Sequence, residues 1–146
     1  MKRQALQILP TWILGAKANW EEEEVCEIRL TIGQRPTIVR QNQLVVLGEK
    51  AVGPEDIDQI LYRASEYSVF RFDEQLKNGF ITLPDGDRIG ICGRGVYCNG
   101  QLQSIKEIQS LCIRFAAQGH RYYTPLCRQL LQQTFLLYLL ANLFHL

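Results

Sequence analysis

Gly79–Phe115, GFITLPDGDRIGICGRGVYCNGQLQSIKEIQSLCIRF, is the stretch whose reading decides the fold. Phe80-Ile81-Thr82-Leu83 has the length and apolar content of a strand, and Pro84-Asp85-Gly86-Asp87 carries turn residues at turn-favoured places. From Arg88 to Tyr97 the pattern alternates, with Ile89 and Ile91 on one face and Arg88, Cys92 and Arg94 on the other. Asn99-Gly100 is a strong hairpin signal. A return strand around Leu102–Ile105 and a last one over Leu111–Phe115, with Leu111, Ile113 and Phe115 on a shared face, complete an antiparallel sheet. Gly90, Gly93 and Gly95 interrupt the second strand and mark a bulge or a close backbone approach. They do not form a phosphate-cradling loop, because no Lys-Ser/Thr follows and no strand-to-helix turn surrounds them.

Working outward, Val25–Ile32 reads as a strand with Cys26, Ile28, Leu30 and Ile32 on one face and Glu27, Arg29 and Thr31 on the other. Gly33-Gln34-Arg35-Pro36 turns the chain, and Thr37–Arg40 pairs with Leu44–Leu47 across Gln41-Asn42-Gln43. Gly53-Pro54 opens a helix with Glu55, Asp56 and Asp58 at its positive end, and Ile57, Ile60, Leu61 and Ala64 form its apolar face. Ser68 is suited to cap a second helix bearing Val69, Phe72 and Leu76, ended by Asn78-Gly79. Ala5 to about Ala18 reads as helix broken at Pro10, with Thr11 capping the second piece. Glu21–Glu24 reads as a solvated charge run, and Gln118–Arg121 as a polar connector before a helix starting at Pro125.

The expected fold class is α+β, a mostly antiparallel sheet with packed helices. One domain spans 1–131, with a sub-split near residue 50 as an option, and an aberrant apolar tail occupies 132–146. Of the 146 residues, 47% are hydrophobic and 21% charged, as in an ordinary globular protein. A net charge of +1 gives no global attraction to nucleic acid. A nucleic-acid module using Arg29, Arg35, Arg40, Arg88 and Arg94 is therefore disfavoured, and no nucleic-acid partner is expected. Cysteines 26, 92, 98, 112 and 127 form no CxxC pair, their odd number argues against a full disulfide framework, and a reducing cytosol fits them. Cys26 and Cys112 are expected to behave as small apolar strand residues. His120 and His145 have no ligand spacing to a cysteine and no nucleophile partner, so neither a metal site nor a stand-alone enzyme is expected. The start of the chain does not read as a signal peptide. The tail TFLLYLLANLFHL is too short for a membrane helix, with about 11 apolar residues against roughly 20 needed.

Three segments in order, EIRLTIGQRP at 27–36, NGFITLPDGDRIGICGR at 78–94 and SIKEIQSLCIRFA at 104–116, closely resemble the stage III sporulation protein AA family. The resemblance runs from about Gln7 to Leu131. It implies the N-terminal α+β domain of a secretion-ATPase-like protein, followed in the family by a RecA-like motor domain that uses ATP and Mg. It further implies a mother-cell cytoplasmic location, peripheral to the membrane, and a homo-oligomer in the full-length family. The implied partners are other stage III sporulation membrane proteins, with which it energises a mother cell–forespore channel. The departure lies at the tail. No Gly follows Gly119, no Lys follows Lys106 and no acidic residue follows Glu107, so no Walker A or Walker B motif is written here. The tail reads as the product of a frameshifted or prematurely ended gene, with a natural short form as the alternative. This chain alone is expected to bind no cofactor and to hydrolyse no ATP. By resemblance to secretion ATPases, Arg88 and Arg114 are the candidates to contact a γ-phosphate in a full-length form. The plainer reading makes them surface arginines paired with Asp85, Asp87 or Glu107. A freestanding protein-interaction module is the alternative function.

Overall fold

The computed structural model describes residues 4–16, 25–40, 43–67 and 72–116. Outside them lie Glu21–Glu24, the Gln41-Asn42 turn, Ser68 and Val69, the connector from Gln118, the helix expected at Pro125, Cys127, both histidines and the tail.

The two hairpin units expected from sequence form, and they join into one sheet. Strands β1 (Val25–Thr31), β2 (Thr37–Arg40) and β3 (Gln43–Val46) make one antiparallel meander; β4 (Phe80–Thr82), β5 (Arg88–Cys98) and β6 (Gln101–Arg114) make the other. Antiparallel pairing of β1 with β6 welds them in the order β3-β2-β1-β6-β5-β4. Strands from either side of residue 50 thus share one sheet.

Helices α1 (Gln4–Gln7), α2 (Thr11–Gly15), α3 (Pro54–Tyr67) and α4 (Phe72–Lys77) supply the rest of the core. Ile28, Leu30, Ile38, Ile81, Ile89, Leu111 and Ile113 from the sheet are buried with Leu6, Ile8, Leu9, Ile13, Ile57, Ile60 and Ala64. These apolar groups sit on one sheet face because side chains alternate along each strand. Asp56, buried in the first turn of α3, accepts from the Gly53 N–H at 2.9 Å and from Trp12 Nε1 at 2.8 Å. One carboxylate so caps α3 and ties α2 to it. From α3, Arg63 donates to the Leu9 carbonyl at 2.9 Å, satisfying backbone in the connection between α1 and α2.

Four local expectations change. Thr11 does not cap α2: Pro10 holds the N-cap position with no side-chain cap bond, and Thr11 is already helical. At the start of β1 the core residue is Val25 and not Cys26, which is half-buried. A bulge between Val25 and Glu27 inserts one residue opposite Arg40 and Val39, which shifts the alternation there by one. The strand expected from Leu44 starts one residue earlier, at Gln43.

The largest change is β6. It runs unbroken from Gln101 to Arg114 where two strands were expected. Between the pairs Cys92↔Ser110 and Arg94↔Lys106, residues 107–109 stand opposite the single Gly93. Glu107 takes a positive φ of 49°, and the bulge absorbs the polar interruption that reads as a break. Gly93 is needed there, because a Cβ on it would lie 2.7 Å from the Lys106 carbonyl oxygen. The close approach expected at these glycines is real at this position. Beyond the bulge, among the described residues, β5 and β6 pair only with each other, and Asn99 and Gly100, at φ 50° and 75°, close the ribbon as a two-residue turn.

Candidate anion site on the polar sheet face

The face of the sheet opposite the core carries the chemistry. On β1, Glu27 and Arg29 point to it; on β6, Arg114 and Cys112 lie directly across from them, as Glu27↔Arg114 and Arg29↔Cys112. The next strand continues both rows, with Arg88 opposite Arg114 and Gly90 opposite Cys112. Opposed residues on neighbouring strands have their Cβ atoms about 4.5–5.5 Å apart. Three guanidinium groups and one carboxylate therefore share a patch two residues deep and three strands wide.

Glu27 organises the patch. Arg114 Nε donates to its Oε2 at 3.2 Å, and Arg29 Nε donates to its Oε1. The Glu27 side chain is only 12% exposed, whereas those of Arg29 and Arg114 are 53% and 72% exposed. Burial pushes the Glu27 carboxyl up, but hydrogen bonds from Arg29, Cys112 and Arg114, with the Arg29 charge, outweigh it and hold its pKa below the ordinary 4.5. The Cys112 thiol is pushed up, first by burial and then by the Glu27 carboxylate it contacts. Cys112 is thus part of a polar cluster, which corrects its expected role as a small apolar filler.

Arg88 is held differently. Its guanidinium lies over the Phe80 ring, 5.4 Å from the centroid, and no carboxylate among the described residues forms an ion pair with it. The expected partners are engaged elsewhere. Asp85 accepts from the Gln4 and Asp87 backbone N–H groups, Asp87 from that of Ala116 at 2.7 Å, and Glu107 from Arg94 at 2.7 Å. The structure thus sets Arg88 and Arg114 opposite each other on adjacent strands, and for Arg114 the acidic partner is Glu27 and not Asp85, Asp87 or Glu107. Of the other arginines considered, Arg29 joins the patch, Arg35 pairs with Glu49 at 3.0 Å and Arg94 with Glu107. Glu27 was missed as a site residue. Its one sequence signal is the Glu-x-Arg alternation on β1, which puts Glu27 and Arg29 on one face without saying what lies opposite.

Among the described residues no cluster of three or more His, Cys, Asp or Glu could hold a metal ion. None of their helices is long and apolar enough to cross a membrane.

Fold and patch together define an α+β domain with a guanidinium-rich sheet face suited to an anion. Residues 2–136 match the family described as "Sporulation stage III, protein AA", and the chain belongs to that family. It is 32% identical over 133 residues to the stage III sporulation protein AA of Bacillus subtilis (strain 168), a match that covers 89% of this chain and 43% of that protein. The chain thus spans less than half the length of this relative. Among solved structures, the VirB11 ATPase of the Brucella suis type IV secretion system, crystallised with sulphate, aligns with 15% identity and a TM-score of 0.45, over 86% of this chain and 35% of that one.

Proposed function

We propose that this chain is the N-terminal assembly portion of a sporulation ATPase, and that Arg88 and Arg114 contact the γ-phosphate of an ATP held by a motor domain. The observation that carries the reading is the direct opposition of Arg88 and Arg114 on adjacent strands of the polar face. Guanidinium groups fork onto phosphate oxygens and offset the charge that develops there during phosphoryl transfer. Arg88 has no carboxylate partner among the described residues to displace, and Arg114, although engaged by Glu27 and Cys112, keeps a largely exposed guanidinium. ATP with Mg is what the family resemblance implies, and the patch suits the anionic end of such a ligand. Magnesium would be held by the motor domain, since the patch offers a single carboxylate. The wider role we propose is to energise a mother cell–forespore channel with other stage III sporulation membrane proteins, from the mother-cell cytoplasm at the membrane surface.

The test uses an intact, ATP-hydrolysing relative. Alanine at the positions matching Arg88 and Arg114 should lower turnover at least about tenfold, and up to the ~10³–10⁵-fold that an arginine contact supplies in phosphoryl transfer, while thermal unfolding stays put. Unchanged turnover in both variants would sink the reading. The present chain, incubated with ATP and Mg, should release no phosphate.

A further inference from the structure

The two edges of the sheet are treated unequally. At the β4 edge, Ile91 donates to the Gly79 carbonyl and Leu83 to that of Asp87, so the odd-numbered residues of β4 bond inward to β5. The even-numbered ones face outward, and the outward N–H of Thr82 is taken by Oε1 of the buried Gln75 at 2.6 Å. A side chain from α4 therefore blocks that edge.

The β3 edge has no such device among the described residues. Leu47 donates to the Pro36 carbonyl at 2.7 Å, which fixes the odd-numbered residues as the inward ones. The backbone groups of Leu44 and Val46 then face outward. The strand Gln43-Leu44-Val45-Val46 carries no charge, no proline and no bulge, the usual protections of an edge. Its apolar side chains are open to solvent, with Leu44 56%, Val45 38% and Val46 44% exposed.

We propose that β3 is a self-association edge whose occupant is β3 of a second copy, giving a two-fold dimer with one sheet running through both. Two antiparallel copies related by a two-fold axis must pair about a single residue, and the outward groups select Val45. Val45 then faces Val45, and Leu44 of one copy faces Val46 of the other, twice. In that register every outward N–H and C=O of Leu44 and Val46 finds a partner, and all three apolar side chains meet apolar ones. No charge opposes a like charge. Because Gln75 already occupies the outward Thr82 N–H of β4, β3-to-β4 stacking into an open filament is disfavoured, and the contact closes as a dimer. A four-residue edge covers far less than the ~1,200 Å² of a stable complex, so the dimer is weak, with a dissociation constant on the order of 100 μM. The inference is independent of the ATP reading.

Sedimentation of the whole chain over a concentration series to about 1 mM is the experiment. The mass should rise from 16.8 kDa toward twice that value. Leu44→Pro removes an outward N–H that no bond among the described residues uses, and Val45→Lys sets two ammonium groups face to face. Each should weaken the dimer at least about tenfold with little effect on unfolding of the monomer. Val45→Cys puts two Cα atoms about 4.5 Å apart, inside the disulfide range, so mild oxidation should give a 45–45 link by mass spectrometry; Gln43→Cys should give no 43–43 link. A chain that stays monomeric at 1 mM, as expected if β3 instead receives a strand of another protein, would overturn the proposal. Equally fatal would be association that survives Leu44→Pro and Val45→Lys, or a Val45→Cys link no more abundant than links through the native cysteines.

Discussion

Glu27 is a carboxylate with little exposure held between two arginines, and its energetic role depends on pH in a definite direction. Its folded pKa lies below the ordinary 4.5, so the stabilisation it gives is fully present above that value and is lost as pH falls through the folded pKa. Glu27→Gln should destabilise the domain by about 1 kcal/mol at neutral pH, a modest figure because the partner guanidiniums are largely exposed. Urea titrations of the two proteins should differ most near neutrality and converge in acid; a gap that is constant across pH would contradict the assignment. The cysteines give a second check. Cys92 and Cys98 are exposed, whereas Cys112 is half-buried with its thiol pKa pushed up, so a thiol reagent near neutral pH should label the first two well before the third. Arg88 and Arg114 were legible as candidates because both sit in segments with a known family counterpart. Their partner was not, because alternation tells which residues share a face but not which strand lies alongside.

The β5–β6 ribbon shows how one element depends on one glycine. Gly93→Ala would press a Cβ to 2.7 Å from the Lys106 carbonyl and 3.0 Å from the Ile108 Cα, both backbone, so the bulge must open. A loss of about 1–3 kcal/mol in chemical unfolding is expected. Gly90→Ala meets only ordinary contacts, 3.6 Å from the Cys112 carbonyl, and should be close to neutral or slightly stabilising. Equal effects at the two positions would show that the bulge does not require its glycine. The sequence signal here was half right. Three glycines in a strand announce irregularity, but they do not reveal that the partner strand continues through it, and so β6 reads as two pieces until its pairing with both β1 and β5 is seen.

At the scale of the whole molecule, stability is centred on the β1–β6 seam and falls toward the edges. Ile28, Leu30, Leu111 and Ile113 meet there, all buried, at the join of the two meanders. Amide exchange should therefore be slowest along β1 and the Ser110–Arg114 part of β6. It should be fast in the ribbon beyond the bulge, where each strand has a single neighbour. Ile113→Ala should cost about 2–5 kcal/mol, as large-to-small changes in packed cores do, and should lower protection in both meanders together. Loss confined to one meander would mean that the two halves unfold separately.

What the sequence by itself determined is the set of local pieces. Asn99-Gly100 and Pro84-Asp85-Gly86 set turns that only a few backbone conformations satisfy, Gly53-Pro54 starts α3, and strict alternation marks Ile89, Leu111 and Ile113 as core. Each signal acts within a few residues, so it survives without knowledge of the rest. The tertiary structure alone decided how the pieces meet. It pairs β1 with β6 and brings Glu27 to Arg114 across 87 residues of chain. It moves Val25 rather than Cys26 into the core, and it sets Gln75 on the outward Thr82 N–H at one sheet edge, a device that β3 lacks among the described residues. Such contacts arise from burying one apolar sheet face, built from both meanders, against helices, a condition on the whole chain that no short window of residues encodes.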